Sequence, residues 1–212
     1  MIGGRIVAAI VLVLWASPAL AEAPPAAPRR AVAKTAALFL GGAATGLVVH
    51  ESGHVIFGAA FGAHPTVDPI HFGGIPFFAI GHDPVTRRKE FVISSAGLWL
   101  QNGGAEWLLT THPHLHDERA PFLKGVFAFH LVTSGIYSVA AFSRIGPPER
   151  DTLGISDSLG RDGVPEPVVG MLVLAPAALD AYRYLRPESA WAKWASRGTK
   201  ALAVVLTAAA GR

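Results

Sequence analysis

Leu47-Val48-Val49-His50-Glu51-Ser52-Gly53-His54-Val55-Ile56-Phe57 lies inside a longer apolar run, Ala36 to Phe61, whose only titratable side chains are Glu51 and the two histidines. A bilayer core is crossed by roughly 20 helical residues, so the run predicts a membrane span. An ionised Glu and two imidazoles cost several kcal/mol there unless they are paired or functional. On a helix, positions i and i+4 share a face, so His50 and His54 can reach one ion together. The pattern is His-Glu-x-x-His, with Glu51 beside the first histidine as a proton acceptor. Zinc in such a site lowers the pKa of water at its open position towards about 7.

The whole composition agrees with a membrane chain. It has 212 residues, 51% hydrophobic and only 16% charged, and a formal net charge of +3. Mean hydropathy is +0.39 and the pI is near 9.5. An average soluble domain has roughly 25% charged residues. The basic residues form short clusters between apolar runs, as in loops flanking membrane spans, which argues against a nucleic-acid partner. There is no cysteine. That excludes disulfides, thiolate zinc sites and Cys nucleophiles, and leaves His, Asp and Glu to hold any metal.

Outward from the central run, residues 1–21 read as a signal peptide or first anchor: Arg5, an apolar Ile6–Trp15, then Ala19-Leu20-Ala21. A Pro/Ala-rich spacer over 22–35 follows, extended in its first part. The core, 36–190, continues after the first span with His64–Glu90, whose Pro69–Phe72 and Ile75–Ile80 flank Gly73-Gly74 and predict a β-hairpin. Further spans are predicted over Phe91–Thr111, Pro121–Phe142 and Val168–Leu185, and an amphipathic or spanning helix over 191–212. The fold class is therefore an all-α multi-pass membrane protein, with about four to five spans after the signal or anchor and a small β-hairpin insertion after the first core helix. Arg87-Arg88-Lys89 and the arginines at 144, 150 and 161 mark their loops as cytoplasmic. The first span then runs inward, as the signal segment independently requires. Arg outnumbers Lys 13 to 5 in an Ala-rich chain, a composition that points to a GC-rich bacterial genome, and the expected location is the bacterial inner membrane.

Zinc needs a third protein ligand and an open position. Phe57 and Ala60 stand where an extended metzincin motif has Gly and His, which excludes that class. Glu106, in the second predicted span, or an Asp near the end of a later span could complete the site. Gly42/Gly46 and Gly58/Gly62 predict close helix packing. His112, His114 and His116 read as a solvated turn. Asp180 and Arg183, near a span end, are expected to pair or to snorkel to the interface.

In these motifs the chain resembles the site-2 protease family of intramembrane zinc metalloproteases. That family has His-Glu-x-x-His on its first core helix, often with Gly before the second His, as Gly53 is here. A hairpin or re-entrant segment follows, where His64–Glu90 lies. Ser95-Ala96-Gly97-Leu98-Trp99-Leu100-Gln101-Asn102 is similar to the family's Ala-Gly-Pro-x-x-Asn-like helix opening, with Leu98 in place of Pro. Ser143-Arg144-Ile145-Gly146-Pro147-Pro148-Glu149-Arg150-Asp151 matches the place of its third ligand. The resemblance, over residues 36–155, implies Zn²⁺ held by His50, His54 and Asp151, with Asp157, Asp162 and Glu106 as alternatives. Asp151 is also expected to cap a short helix over Thr152–Leu159. Glu51 is implied as the catalytic base and Asn102 as a substrate-binding residue.

The expected function is a zinc-dependent endopeptidase cutting membrane-protein or peptide substrates within or next to the bilayer. Its partners are the lipid bilayer, the substrate and, where recognition needs one, an accessory protein. The alternative is a non-catalytic membrane scaffold or metal-handling protein with a silent site.

Overall fold

The computed structural model describes residues 29–72, 75–160 and 163–210. The signal or anchor expected over 1–21, the spacer up to 28 and Asp162 lie outside the described residues. The chain divides into units 1–34 and 35–212. Of the first, only the helical residues 29–34 are described.

Six helices and one hairpin make up the described residues: α1 (Arg29–Ala60), β1 (Thr66–Phe72), β2 (Ile75–Gly81), α2 (Arg87–Thr111), α3 (Pro121–Ser143), α4 (Asp151–Ser158), α5 (Glu166–Leu185) and α6 (Ala190–Ala210). The helical class and the hairpin after the first core helix are as the sequence predicts. Three helices, α1, α3 and α5, are long and apolar enough to cross a membrane. The expected span over 91–111 is a helix, but Ser94, Ser95, Gln101, Asn102 and Glu106 make it the polar one of the set. Helix α1 begins at Arg29, so 29–35 is helix rather than spacer. The last proline before the helix is Pro28, and the alanine-rich 31–37 that follows has high helix propensity.

Helix α1 ends in a Schellman turn. Gly62 takes φ +67, while Gly62 N donates to Ala59 O at 3.0 Å and Ala63 N to Gly58 O at 2.9 Å. Lys89 Nζ adds a bond to Phe61 O at 3.1 Å, a cation at the negative helix end. The chain then pairs antiparallel from Thr66↔Gly81 to Phe72↔Ile75. Asp83 N closes the base of the hairpin on Ala63 O at 2.8 Å. Thr86 Oγ1 accepts from Lys89 N and starts α2.

Glycines set how closely the helices approach. A Cβ on Gly42 would strike the Phe122 carbonyl, and one on Gly125 the Phe39 carbonyl, so α1 and α3 touch backbone to backbone. Gly46 makes room for the Phe129 ring. Gly53 lets α1 meet Ala96 and Gly97 of α2, where a Cβ would lie 2.7 Å from the Ala96 carbonyl carbon. The expected packing role thus holds for Gly42 and Gly46. Gly58 meets Pro65 at ordinary contact distance and Gly62 serves the turn. Two apolar clusters fill the remainder: Phe91, Leu98, Ile155, Val169 and Val173 between α2, α4 and α5, and Ala105, Leu108, Leu109, Leu115 and Phe127 at the far end of α2. Outward faces stay apolar, with Leu40, Val48 and Ile56 on α1, Val132 and Ile136 on α3, and Met171 and Leu172 on α5 all exposed.

Candidate metal centre

His50, His54 and Asp151 come together in the interior, at 1%, 6% and 7% exposure. His50 Nε2 lies 3.1 Å from Asp151 Oδ2, His54 Nε2 lies 3.4 Å from Asp151 Oδ1, and the two Nε2 atoms are 3.4 Å apart. Among the described residues this is the group of His, Cys, Asp or Glu that could hold a metal ion. One ligand atom from each of the three residues lies within 4.8 Å of the other two, and each histidine faces a different oxygen of the Asp151 carboxylate.

The tautomers follow from the partners on the other side of each ring. His54 Nδ1 is 2.8 Å from the Ile93 carbonyl, which can only accept, so Nδ1 carries the proton. His50 Nδ1 is 3.0 Å from Gln101 Oε1. The Gln101 amide cannot be turned round, because its nitrogen faces the His130 carbonyl at 3.1 Å and Ser134 Oγ at 2.9 Å. His50 Nδ1 therefore also donates. Two neutral imidazoles so fixed aim bare Nε2 lone pairs at each other and at a carboxylate. Three acceptors within 3.4 Å require a cation between them, a proton or a metal ion. Burial alone would raise the Asp151 carboxyl, but where that cation is a proton shared by the histidines, the charge and hydrogen bonds of His54 and His50 outweigh burial and hold the group well below the usual carboxylate range.

Helix α2 supplies most of this order. Ile93, Gly97 and Gln101 stand four apart and form one ridge. A Cβ on Gly97 would lie 2.5 Å from His54 Nε2 and 2.6 Å from His50 Nε2, so the missing side chain is the floor of the site. Tyr137 stacks on the His50 ring at 5.9 Å, and Phe129 meets it edge-on at 6.2 Å.

Asp151 is held from both sides. Arg150 forks onto Glu166 of α5 through Nε at 2.6 Å and Nη2 at 2.8 Å, and Thr152 Oγ1 donates to the same carboxylate at 3.0 Å. The helix starts one residue earlier than expected. Arg150 is the N-cap and Asp151 the first helical residue. Its carboxylate turns to the histidines instead of capping its own amides. Arg150, next to the candidate ligand, is thus a clamp.

Glu51 lines a cavity of about 590 Å³ that also reaches His50, His54 and Asp151. Strand β2 walls it with Phe78, Ile80 and neighbours. Other expected residues lie elsewhere. Asn102 donates to its own helix at Leu98 O, 2.8 Å, and lines a second cavity beside α6. Gln101, one residue earlier, faces the histidines instead. Glu106 is taken up by Arg183 at 2.7 Å, Arg197 at 2.9 Å and Lys200 at 3.0 Å. Asp157 is exposed. Asp180 and Arg183 are buried and paired rather than snorkelling. His112, His114 and His116 each pair with a different carboxylate, Glu118, Glu188 and Asp117. Gln101, Gly97 and Tyr137 were not anticipated. The four-residue ridge Ile93–Gly97–Gln101 was the available signal for the first two.

No family model, curated protein or solved structure matches this chain.

Proposed function

We propose that this chain is a zinc-dependent endopeptidase of the membrane, working in the manner of the site-2 proteases. The observation that carries the reading is the converging face of two proton-free Nε2 atoms and one carboxylate, with Glu51 open to the same cavity. The donor set is two imidazole nitrogens and a carboxylate oxygen within 4.8 Å of one another, which suits zinc. His50, His54 and Asp151 would hold a zinc ion, which would polarise the scissile carbonyl and acidify a bound water.

Glu51 follows His50 directly and lines the cavity. It accepts the proton of the attacking water as the new C–O bond forms. It then delivers that proton to the departing amine nitrogen as the C–N bond breaks. Gln101 and the Ile93 carbonyl keep the two Nδ1–H groups turned away, so neither ring competes for that proton. A helical substrate must unwind to expose its carbonyl, and strand β2 gives it an extended partner beside the cavity.

The membrane setting rests on three apolar helices and their exposed apolar faces. His50 lies ten residues before the end of α1, about 15 Å along the axis, which is inside the hydrocarbon for a spanning helix. A multi-pass protein of a bacterial inner membrane fits this and the two basic loops. The test is cleavage of a single-span peptide by the detergent-purified chain. Glu51→Gln should lower turnover about 10²–10⁴-fold while zinc stays bound. Unchanged turnover would refute the enzyme reading and favour a metal-holding scaffold.

A further inference from the structure

The hydrogen bonds of the metal centre continue outward through three more helices. Gln101 Nε2 reaches His130 Nδ1 at 3.2 Å as well as the His130 carbonyl and Ser134. His130 Nε2 is 3.0 Å from Asp180 Oδ2. Asp180 Oδ1 accepts from Ser196 Oγ at 2.6 Å and from Lys200 Nζ at 2.8 Å. His130, Asp180 and Ser196 are 2%, 0% and 0% exposed. Each link has one direction. The Asp180 carboxylate only accepts, so His130 Nε2 carries its proton and Nδ1 is a bare acceptor. That acceptor, with the His130 carbonyl, demands the amide nitrogen of Gln101. The amide oxygen is left for His50 Nδ1–H, and His50 Nε2 is left free of a proton. The carriers recur at intervals of four: Gly97 and Gln101 on α2, His130 and Ser134 on α3, Ser196 and Lys200 on α6. Each helix therefore offers one polar ridge to the next.

We infer that helix α6 belongs to the metal centre: Ser196 and Lys200 hold Asp180, which through His130 and Gln101 sets the tautomer and orientation of the ligand His50. This rests on the reading of His50, His54 and Asp151 as ligands, and extends it to positioning residues that touch neither metal nor substrate. Partners on the far nitrogen of a ligating histidine fix its ring and tautomer. Here that partner is a neutral amide, which could face either way, so its direction has to be imposed from farther out. The charges close at the end of the chain. Lys200 also binds Glu106, which Arg183 and Arg197 share, so the anion at Asp180 has a fixed cation beside it. Asp180 and Arg183, expected only to pair or snorkel, thereby acquire a place in the site.

The experiment is metal binding by the full chain purified in detergent. It is read as zinc affinity by chelator competition and as the visible spectrum of bound cobalt. Gln101→Leu should lose about 10–100-fold in affinity. Gln101→Glu keeps an acceptor for His50 Nδ1–H and should bind more tightly than Gln101→Leu, although a buried carboxylate lowers its thermal stability. A residue that only fills space would give the reverse order of affinity. Ser196→Ala with Lys200→Met should lose about tenfold and shift the cobalt bands. Ser196→Ala alone, measured beside it, should move the same way. Ser138→Ala is the control: Ser138 lies on the same ridge of α3 and bonds only Ser134 O and Gly170 O, so binding should not change. Wild-type affinity in both Gln101→Leu and the α6 variants would overturn the inference while leaving the ligand set intact, provided His54→Ala still abolishes binding. Absence of binding by the wild-type chain would remove the ligand reading and this inference with it.

Discussion

Gly97 has no side chain, and the two histidines occupy the space one would fill. An added Cβ would stand 2.5 Å and 2.6 Å from their Nε2 atoms, closer than any non-bonded carbon and nitrogen approach. Gly97→Ala should therefore push the imidazoles apart, at a cost of about 1–3 kcal/mol in stability. The variant should lose most of its zinc while remaining helical, read by metal analysis beside circular dichroism. Full zinc content in Gly97→Ala would mean that α2 does not form the floor of the site. At this scale the sequence spoke clearly for His50, Glu51 and His54, because charge inside an apolar helix needs a reason. It was silent on Gln101. A lone amide in a helix reads as a helix–helix contact until a partner helix shows what it faces. Asn102, its neighbour, carried the family likeness, but helix geometry turns it about 100° away from the ridge that meets α1.

At the scale of elements, two short pieces do what the long helices cannot. Helix α4 has eight residues and is too short to be stable alone; the Arg150–Glu166–Thr152 bonds fasten its first turn to α5 and so deliver Asp151 to the histidines. The hairpin was legible from its two β-prone pieces on either side of Gly73-Gly74, and the strands pair in register from Thr66↔Gly81 to Phe72↔Ile75. The cap was read one residue late, since Asp is a common N-cap and only the opposing histidines draw its carboxylate elsewhere. Strand β2 lines the cavity, so removing Ile70–Ile80 should leave zinc bound yet lower cleavage of a spanning substrate about 10²-fold, the effect of a misplaced scissile bond. Unchanged cleavage after the deletion would take the hairpin out of substrate binding.

At the scale of the whole molecule, the two basic loops lie at one end. A Cβ on Gly160 would lie 3.0 Å from Arg87 Nη1, which joins the Arg87–Lys89 cluster to the turn that follows α4. The turns after α2 and α5 share another end, where His114 meets Glu188 at 3.4 Å. The proposed membrane topology, with the basic end cytoplasmic, therefore has a direct check. The chain is free of cysteine, so single thiols can be introduced at exposed positions. Arg88→Cys should react with an impermeant reagent only from the cytoplasmic side, and Arg119→Cys only from the other. Labelling of both from one side would contradict the topology. Span count was the least legible feature. Helix α2 has the length of a span, but its polar residues serve the site and the ion cluster at Glu106, so hydropathy alone cannot separate a buried polar helix from a spanning one.

The central claim is that His50, His54 and Asp151 form one metal site. Metal analysis of the purified chain tests it, with wild type compared with His54→Ala, Asp151→Ala and Glu106→Ala. One zinc per chain in the wild type and in Glu106→Ala, lost in the other two, is the predicted result. No zinc in the wild type after reloading, or zinc kept by Asp151→Ala and lost by Glu106→Ala, would contradict it.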